Sequence, residues 1–276
     1  MANFVKKYPA ISMFVLSFVI GTGISFLVIN GTLAKSFFFL AASSASITGI
    51  ILTAIVAGRS GLRDLFGRIM IWRVEGRWWA FALFAMLGVV ILGKVFNAIT
   101  GLDPLDFSGA PQGLVMLIPI FLMQVFSAGF GEELGWRGFL LPRMQGRFNA
   151  LVAGLIVGAL HGLWHIPMFF IEGLSPYQEM VELIGLVPAI LGYGLFYVTS
   201  WSILYTCLLN NTKGSMLLIF AHHASQVWVL NLWNHSNPKG FIGLTAAMTI
   251  AAIIVVVIYG PENLSKTSEK YVITDA

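Results

Sequence analysis

Two adjacent acids, Glu132 and Glu133, carry the first sign of chemistry in this sequence. They stand with Arg137 in the stretch FSAGFGEELGWRGFLLPRMQGRF, at the end of an apolar run. If this stretch is helical, Glu133 and Arg137 share a face at i and i+4 and can form an ion pair, while Glu132 points about 100° away. The less compensated Glu132 then suits a general base. The alternative on spacing alone is a salt bridge that only caps the end of a helix.

Two further segments supply histidines. His161 and His165 stand four residues apart in ALHGLWHIPMFF, so a helix points both imidazoles to one face, and Pro167 predicts a break just after them. The alternative is that one histidine binds a backbone carbonyl freed by that break. His222 and His223 are adjacent in IFAHHASQVW, so at most one of them faces a shared site. Acid and imidazoles from three helices suit the activation of water, with or without a metal ion.

The composition predicts that membrane-spanning helices carry these glutamates and histidines. Hydrophobic residues make up 58% of the 276 residues and charged residues 10%, with a mean hydropathy of +0.86. An ordinary soluble domain has roughly 25% charged residues. Because a bilayer requires that backbone polar groups be satisfied within each span, we predict an all-α, polytopic integral membrane protein. The single Cys207 excludes an intrachain disulfide.

Eight apolar runs predict about eight transmembrane helices in a single membrane domain, residues 1–276. The first run follows Lys6 and Lys7 but is too long for a signal peptide, so we expect a retained span. Residues 58–77 read as a basic amphipathic connection in the interface, and residues 260–276 as a tail. The runs fall at about 10–30, 36–57, 78–100, 113–131, 149–171, 183–209, 215–234 and 241–259.

Basic residues concentrate in alternate connections. The positive-inside rule places the arginine-rich connection 58–77 in the cytoplasm, and alternation then places both termini there as well. We therefore predict a multi-pass protein of the plasma membrane, with a formal net charge of +4 that reflects orientation and not binding of nucleic acid. The opposite side receives the loop residues Lys35, Asp103, Asp106, Glu172, Glu179, Glu182 and Lys239.

Separated motifs together resemble one known family. EELGWR matches the EExxxR signature of the CAAX-protease and bacteriocin-processing (CPBP or ABI) intramembrane endopeptidases. The basic connection, GLWHIP and TKGSMLLIFAHHAS follow in family order, so the resemblance spans about residues 58–228, with the core motifs in 125–228. It implies an intramembrane endopeptidase that cleaves near the cytoplasmic face. Its partners would be the lipid bilayer and a peptide or protein substrate, with or without a lipid group.

The resemblance also implies a role for each matching residue. Glu132 corresponds to the carboxylate that activates water, and Glu133 with Arg137 to its supporting pair. His165 corresponds to the histidine of the second motif and His223 to that of the third. A metal stays open: Glu132, His165 and His223 could bind a divalent ion such as zinc, because catalytic zinc sites often use two histidines and a carboxylate.

Two positions depart from the family pattern. The second motif is usually FxxxH, and His161 occupies the Phe position, where it reads as a polar substitute without a catalytic role. The third motif usually places Asn or Asp four residues after its histidine. Register from the Gly-Ser turn favours His223, which puts Val227 at that position, whereas His222 would put Gln226 there.

Two other functions fit the same residues. A non-catalytic immunity or scaffold protein could keep this fold without turnover, and the absent Asn or Asp at Val227 favours that reading. A transporter or proton relay is the third, since glutamate and histidine inside a membrane also serve those roles. The endopeptidase is the leading interpretation.

Overall fold

The computed structural model describes residues 2–105, 114–171, 177–230 and 240–274. Asp106, Glu172, Lys239 and Ala276 therefore lie outside the described residues. All regular elements within those ranges are helical. The α-helices α1 to α14 are Ala2–Lys7, Pro9–Ile29, Phe38–Ala42, Ser44–Gly67, Gly76–Thr100, Leu114–Gln124, Phe130–Glu133, Leu141–Gln145, Ala150–Trp164, Tyr177–Ile184, Leu186–Ile190, Thr199–Asn211, Met216–Leu230 and Gly240–Tyr259.

Short segments of other helix types join several of these helices. The π-helical segments Val125–Gly129, Leu134–Leu140 and Leu191–Val198 lie between α-helices without a break in the helical path. The 3₁₀ turns are Lys35–Phe37, Arg68–Met70 and Ile166–Phe170. Such π segments widen a helix locally and occur often at functional sites.

Six helices of the described chain are long and apolar enough to cross a membrane, which confirms the predicted all-α polytopic class. Two of the eight predicted runs fall outside this set. The fourth run continues without interruption to Gln145 and takes in several charged residues, and α13 has only 15 described residues. These two helices carry the glutamates and the histidine pair at 222 and 223. The six candidate spans are Pro9–Ile29, Lys35–Met70, Gly76–Thr100, Ala150–Phe170, Leu186–Asn211 and Gly240–Tyr259.

Helix α4 packs closely against the segment that follows the two glutamates. A Cβ atom on Gly49 would lie 2.6 Å from the Cα of Gly135, so only glycine permits this backbone approach. Beyond this contact, Gly58 has a φ of +58° and breaks the helical path of α4. The break separates the apolar span from the basic connection that begins at residue 58.

Five basic segments meet at one end of the helix bundle: the N-terminal residues, the connection 58–77, the segment with Arg143 and Arg147, the turn at Lys213, and the tail 260–276. The guanidinium of Arg147 donates to the carbonyl oxygens of Lys6 and Lys7, at 2.7 and 2.8 Å. The amide of Ala150 donates to the carbonyl of Glu262 at 2.8 Å. At the same end, the Ser215 hydroxyl beside the Lys213 turn donates to the carbonyl of Ile71 at 2.6 Å. The segments that were predicted to share one face therefore contact one another.

Candidate active site

The two glutamates occupy α7, a single helical turn between two π-helical segments. The predicted ion pair is present: Nη1 of Arg137 donates to both carboxylate oxygens of Glu133, at 3.1 and 3.0 Å. Both side chains are fully buried. The ring of Tyr205 lies 4.1 Å from the Arg137 guanidinium carbon, a cation–π contact that helps to hold the charge in place.

The third motif contributes His223 and not its neighbour. Nδ1 of His223 donates to Oε1 of Glu133 at 2.8 Å, because an ionised carboxylate can only accept. His222 faces away, where its Nδ1 donates to the carbonyl of Ala82 at 3.2 Å and its Nε2 accepts from the Trp201 indole at 3.3 Å. Both nitrogens of His222 thus have partners outside the glutamate cluster.

His161 contacts the first glutamate directly. Its Nε2 lies 2.9 Å from Oε2 of Glu132, and its Nδ1 lies 2.9 Å from Nη1 of Arg137. Since arginine can only donate, Nδ1 accepts and Nε2 carries the proton that is donated to Glu132. The indole of Trp136 stacks on the imidazole, with ring centroids 5.0 Å apart. The sequence interpretation of His161 as a polar substitute missed this bridge between Glu132 and Arg137.

His165 is oriented by the end of its own helix. Helix α9 ends at Trp164, and the amide of His165 binds the carbonyl of Gly162 instead of the carbonyl four residues back. The carbonyl of His161 is thereby freed, and Nδ1 of His165 donates to it at 2.8 Å. This is the structural bond anticipated from the break at Pro167. It leaves Nε2 of His165 available as an acceptor.

The exposed fraction of each residue separates these six residues into two groups. Glu133, Arg137 and His161 are 0% exposed, whereas Glu132, His165 and His223 keep 6%, 5% and 4%. The first three therefore form a closed network of hydrogen bonds. The second three are also buried but keep a small exposed area, so a water molecule can contact them.

All of these residues fall in the part of the chain that matches a known family. Residues 114–229 match the family described as type II CAAX prenyl endopeptidase, Rce1-like. The match covers 116 of the 276 residues, and over these residues the chain is similar to this family. The sequence resemblance to CAAX-type intramembrane endopeptidases is thus confirmed.

One curated protein is similar to about half of this chain. The protein called CAAX prenyl protease 2 from Methanococcus maripaludis is 28% identical over 147 residues, which are 51% of this chain and 51% of that protein. The chain therefore spans about half the length of the curated relative that it matches. The Rce1-like match includes all three motifs with chemistry, from α6 to α13.

The candidate site contains two groups of side chains that could be considered as ligands of a metal ion. Two groups have ligand atoms within 4.8 Å of one another: Glu132 with His161 and His165, and Glu132 with Glu133 and His223. The two histidines of the predicted zinc set therefore fall in different groups. In the first group both nitrogens of His161 already have partners, and in the second both oxygens of Glu133 do. Neither described group offers three uncommitted ligands, so the fit is poor.

The position four residues after the histidine of the third motif carries neither Asn nor Asp in this chain. The amide nitrogen of Gln226 donates to the Tyr197 hydroxyl at 2.9 Å and is held in the core. The side chain of Val227 lies outside the described part of the chain, and valine has no polar group to offer. The imidazoles of His165 and His223 are described polar groups near Glu132 that could face an oxyanion.

The two adjacent histidines are expected to differ in their effect on turnover. His223→Ala should lower cleavage by on the order of 10² to 10³, because it removes an imidazole beside the reacting atoms. His222→Ala should lower it far less, since that ring contacts Ala82 and Trp201. Cleavage rates are compared at matched amounts of folded protein. A dead His222→Ala beside a fully active His223→Ala would show that the register is wrong.

Proposed function

We propose that this protein is an intramembrane endopeptidase that hydrolyses a peptide bond with water activated by Glu132. The observation that carries the proposal is the buried contact of Glu132 with His161, inside the segment that matches the Rce1-like family. The small exposed area that Glu132, His165 and His223 keep supports it, because a water molecule can contact these residues.

The proposed reaction is a simple hydrolysis. The Glu132 carboxylate takes a proton from a water molecule, and the resulting hydroxide adds to the carbonyl carbon of the scissile bond. Nε2 of His165 and of His223 carries no proton in this arrangement, so each imidazole would stabilise the oxyanion of the tetrahedral intermediate through a water molecule that donates to both. Protonated Glu132 then gives its proton to the leaving amine, and the C–N bond breaks. No covalent intermediate with the protein is required.

The hydrogen-bond network of Glu133, Arg137 and His161 holds the reacting side chains in place. His161 donates to Glu132 and accepts from Arg137, so the two acids are linked through one imidazole. Glu133 in turn orients His223 through Nδ1. Since the hydrogen bonds hold the reacting groups before substrate arrives, little reorganisation is needed during the reaction.

A peptide or protein is the implied substrate class, and we propose that it carries a prenylated C-terminal CAAX-like sequence. The proposal rests on the description of the family and on the name of the relative. A membrane-embedded site also suits a lipid-modified peptide, because the lipid group can enter from the bilayer.

A panel of peptides tests this function. Purified protein in nanodiscs is incubated with CAAX peptides in prenylated and unmodified forms, and products are identified by mass spectrometry. We expect cleavage of the prenylated form and loss of the C-terminal residues. Binding without any product would favour a non-catalytic scaffold, and substrate-coupled uptake into vesicles would favour a transporter.

Chelation is expected to leave cleavage unchanged within about twofold, because neither described donor group offers three uncommitted ligands. Activity is measured after dialysis against a chelator, with metal content followed by elemental analysis. Loss of activity that added zinc restores would contradict this expectation and would require His161 or Glu133 to exchange its partners.

We propose a single membrane domain with both termini and the basic end of the bundle in the cytoplasm. Support comes from the contacts that gather the five basic segments at one end. A reporter fused after Ala276 should therefore read as cytoplasmic. A reporter that reads as external would contradict the orientation or the number of spans.

A further inference from the structure

A cavity lies at the basic end of the bundle, outside the candidate active site. It has a volume of about 580 Å³, and none of the six residues of the candidate active site lines it. Its walls come from the second half of α4, from the helical segment around Gly138 and Arg143, and from tail residues 271–274. This volume lies in the range of about 300 to 1,000 Å³ that is typical of small-molecule sites.

One wall of this cavity carries two buried arginines. Arg68 is 2% exposed, and Arg143 is 6% exposed. Nη2 of Arg68 donates to the carbonyl of Gly138 at 2.7 Å, and its Nε lies 3.3 Å from the Asp64 carboxylate. Its Nη1 is buried without a hydrogen-bond partner among the described residues. A buried guanidinium donor without an acceptor is costly, so this atom indicates a missing anionic ligand.

The charge balance of the wall also favours an anion. Asp64 is the only acidic residue among the described residues that line the cavity, and its side chain is 51% exposed. The same lining contains two guanidinium groups, those of Arg68 and Arg143. The ring of Tyr271 covers Arg68 at 5.3 Å and limits its access to bulk water.

Part of the lining is apolar. Val56 and Ala57 lie in the membrane-spanning part of α4, just before the break at Gly58. Apolar side chains within the span and arginines at its end follow the same order as the acyl chain and the headgroup of a phospholipid. Arginines at the cytoplasmic surface attract anionic headgroups.

We propose that this cavity binds a phosphate group, carried by an anionic lipid or free in solution, through Arg68 and Arg143. The phosphate supplies the acceptor that Nη1 of Arg68 lacks, and arginine is well suited to phosphate oxygens. A bound phosphate would join α4, α8 and the tail, so its binding should raise thermal stability.

Native mass spectrometry of delipidated protein tests the site. Phosphatidylglycerol, phosphatidylcholine and inorganic phosphate are added separately, and bound mass and melting temperature are recorded. Phosphatidylglycerol should bind and raise the melting temperature, whereas phosphatidylcholine should do so far less. Arg68→Gln and Arg143→Gln should each weaken binding about fivefold. The control Arg63→Gln removes an exposed charge from the same helix outside the cavity and should leave binding unchanged.

A further variant separates the two sources of phosphate. Ala57→Phe fills the apolar wall and keeps both arginines, so it should abolish lipid binding if a lipid is the ligand. If inorganic phosphate binds instead and Ala57→Phe does not affect it, the proposal stands with a soluble ligand. Equal binding of the two lipids without any effect of phosphate would overturn it. An Arg63→Gln variant as defective as a folded Arg143→Gln would also overturn it.

Discussion

Glu132→Gln is expected to lower peptide cleavage by about 10² to 10⁴, the usual contribution of a general base. The glutamine keeps the shape of the side chain and can still accept a hydrogen bond from His161, but it cannot take a proton from water. The fold should therefore survive. Rates are measured by product formation on the same peptide for both proteins, at matched folded protein.

The control for this variant is Glu75→Gln. Glu75 is exposed and pairs with Arg77 on the surface, so its loss should change neither stability nor turnover. If Glu132→Gln instead retains the activity of the wild type, Glu132 does not activate water. That result would favour a non-catalytic scaffold protein or a transporter.

Glu133→Ala is expected to destabilise the protein by about 3 to 5 kcal/mol. The substitution leaves the fully buried guanidinium of Arg137 without its carboxylate and takes away the acceptor of His223. Nε and Nη2 of Arg137 already lack hydrogen-bond partners among the described residues, so the remaining partners of the charge are few. Thermal unfolding in detergent and the yield of folded protein measure the effect.

The comparison with Glu132→Ala makes this prediction specific. Glu132 accepts a hydrogen bond from the neutral imidazole of His161, whereas the described ion pair of Arg137 is with Glu133. Removal of the Glu132 carboxylate should therefore cost much less stability. Glu75→Ala removes one partner of an exposed ion pair and should cost at most about 1 kcal/mol. Equal thermal stability of Glu132→Ala and Glu133→Ala would contradict this division between the two acids.

The class of fold and one side of the site could be predicted from the sequence. Apolar runs of sufficient length specify membrane helices because a bilayer leaves the backbone few alternatives. The Glu133–Arg137 pair follows from helical spacing, which survives the π-helical segment after Glu133. The preference for His223 over His222 came from register with the family motif, and the contact of His223 with Glu133 agrees with it.

The role of His161 could not be predicted in the same way. Its position in the family pattern belongs to Phe, so motif comparison treated it as a substitute. Its contacts with Glu132 and Arg137 depend on the packing of α9 against the segment around α7, which local spacing does not specify. The polar signal was present in the sequence as a histidine four residues before His165, inside a membrane span.

The cavity beside Arg68 could not be predicted from the sequence either. In the sequence, the arginines of the connection 58–77 form one basic group that predicts the orientation of the protein in the membrane. Only tertiary structure separates the buried Arg68 from exposed neighbours such as Arg63, because the carbonyl of Gly138 that binds Arg68 lies 70 residues further along the chain.

Cleavage in oxygen-18 water tests the central claim most directly, namely that Glu132 activates water for hydrolysis. Wild-type protein and Glu132→Gln are given the same prenylated peptide, and both products and protein are analysed by mass spectrometry. The account predicts one heavy oxygen atom in the new carboxyl group for the wild type, unmodified protein, and almost no product with Glu132→Gln. Equal product from Glu132→Gln, or a peptide fragment covalently attached to the protein during turnover, would contradict it.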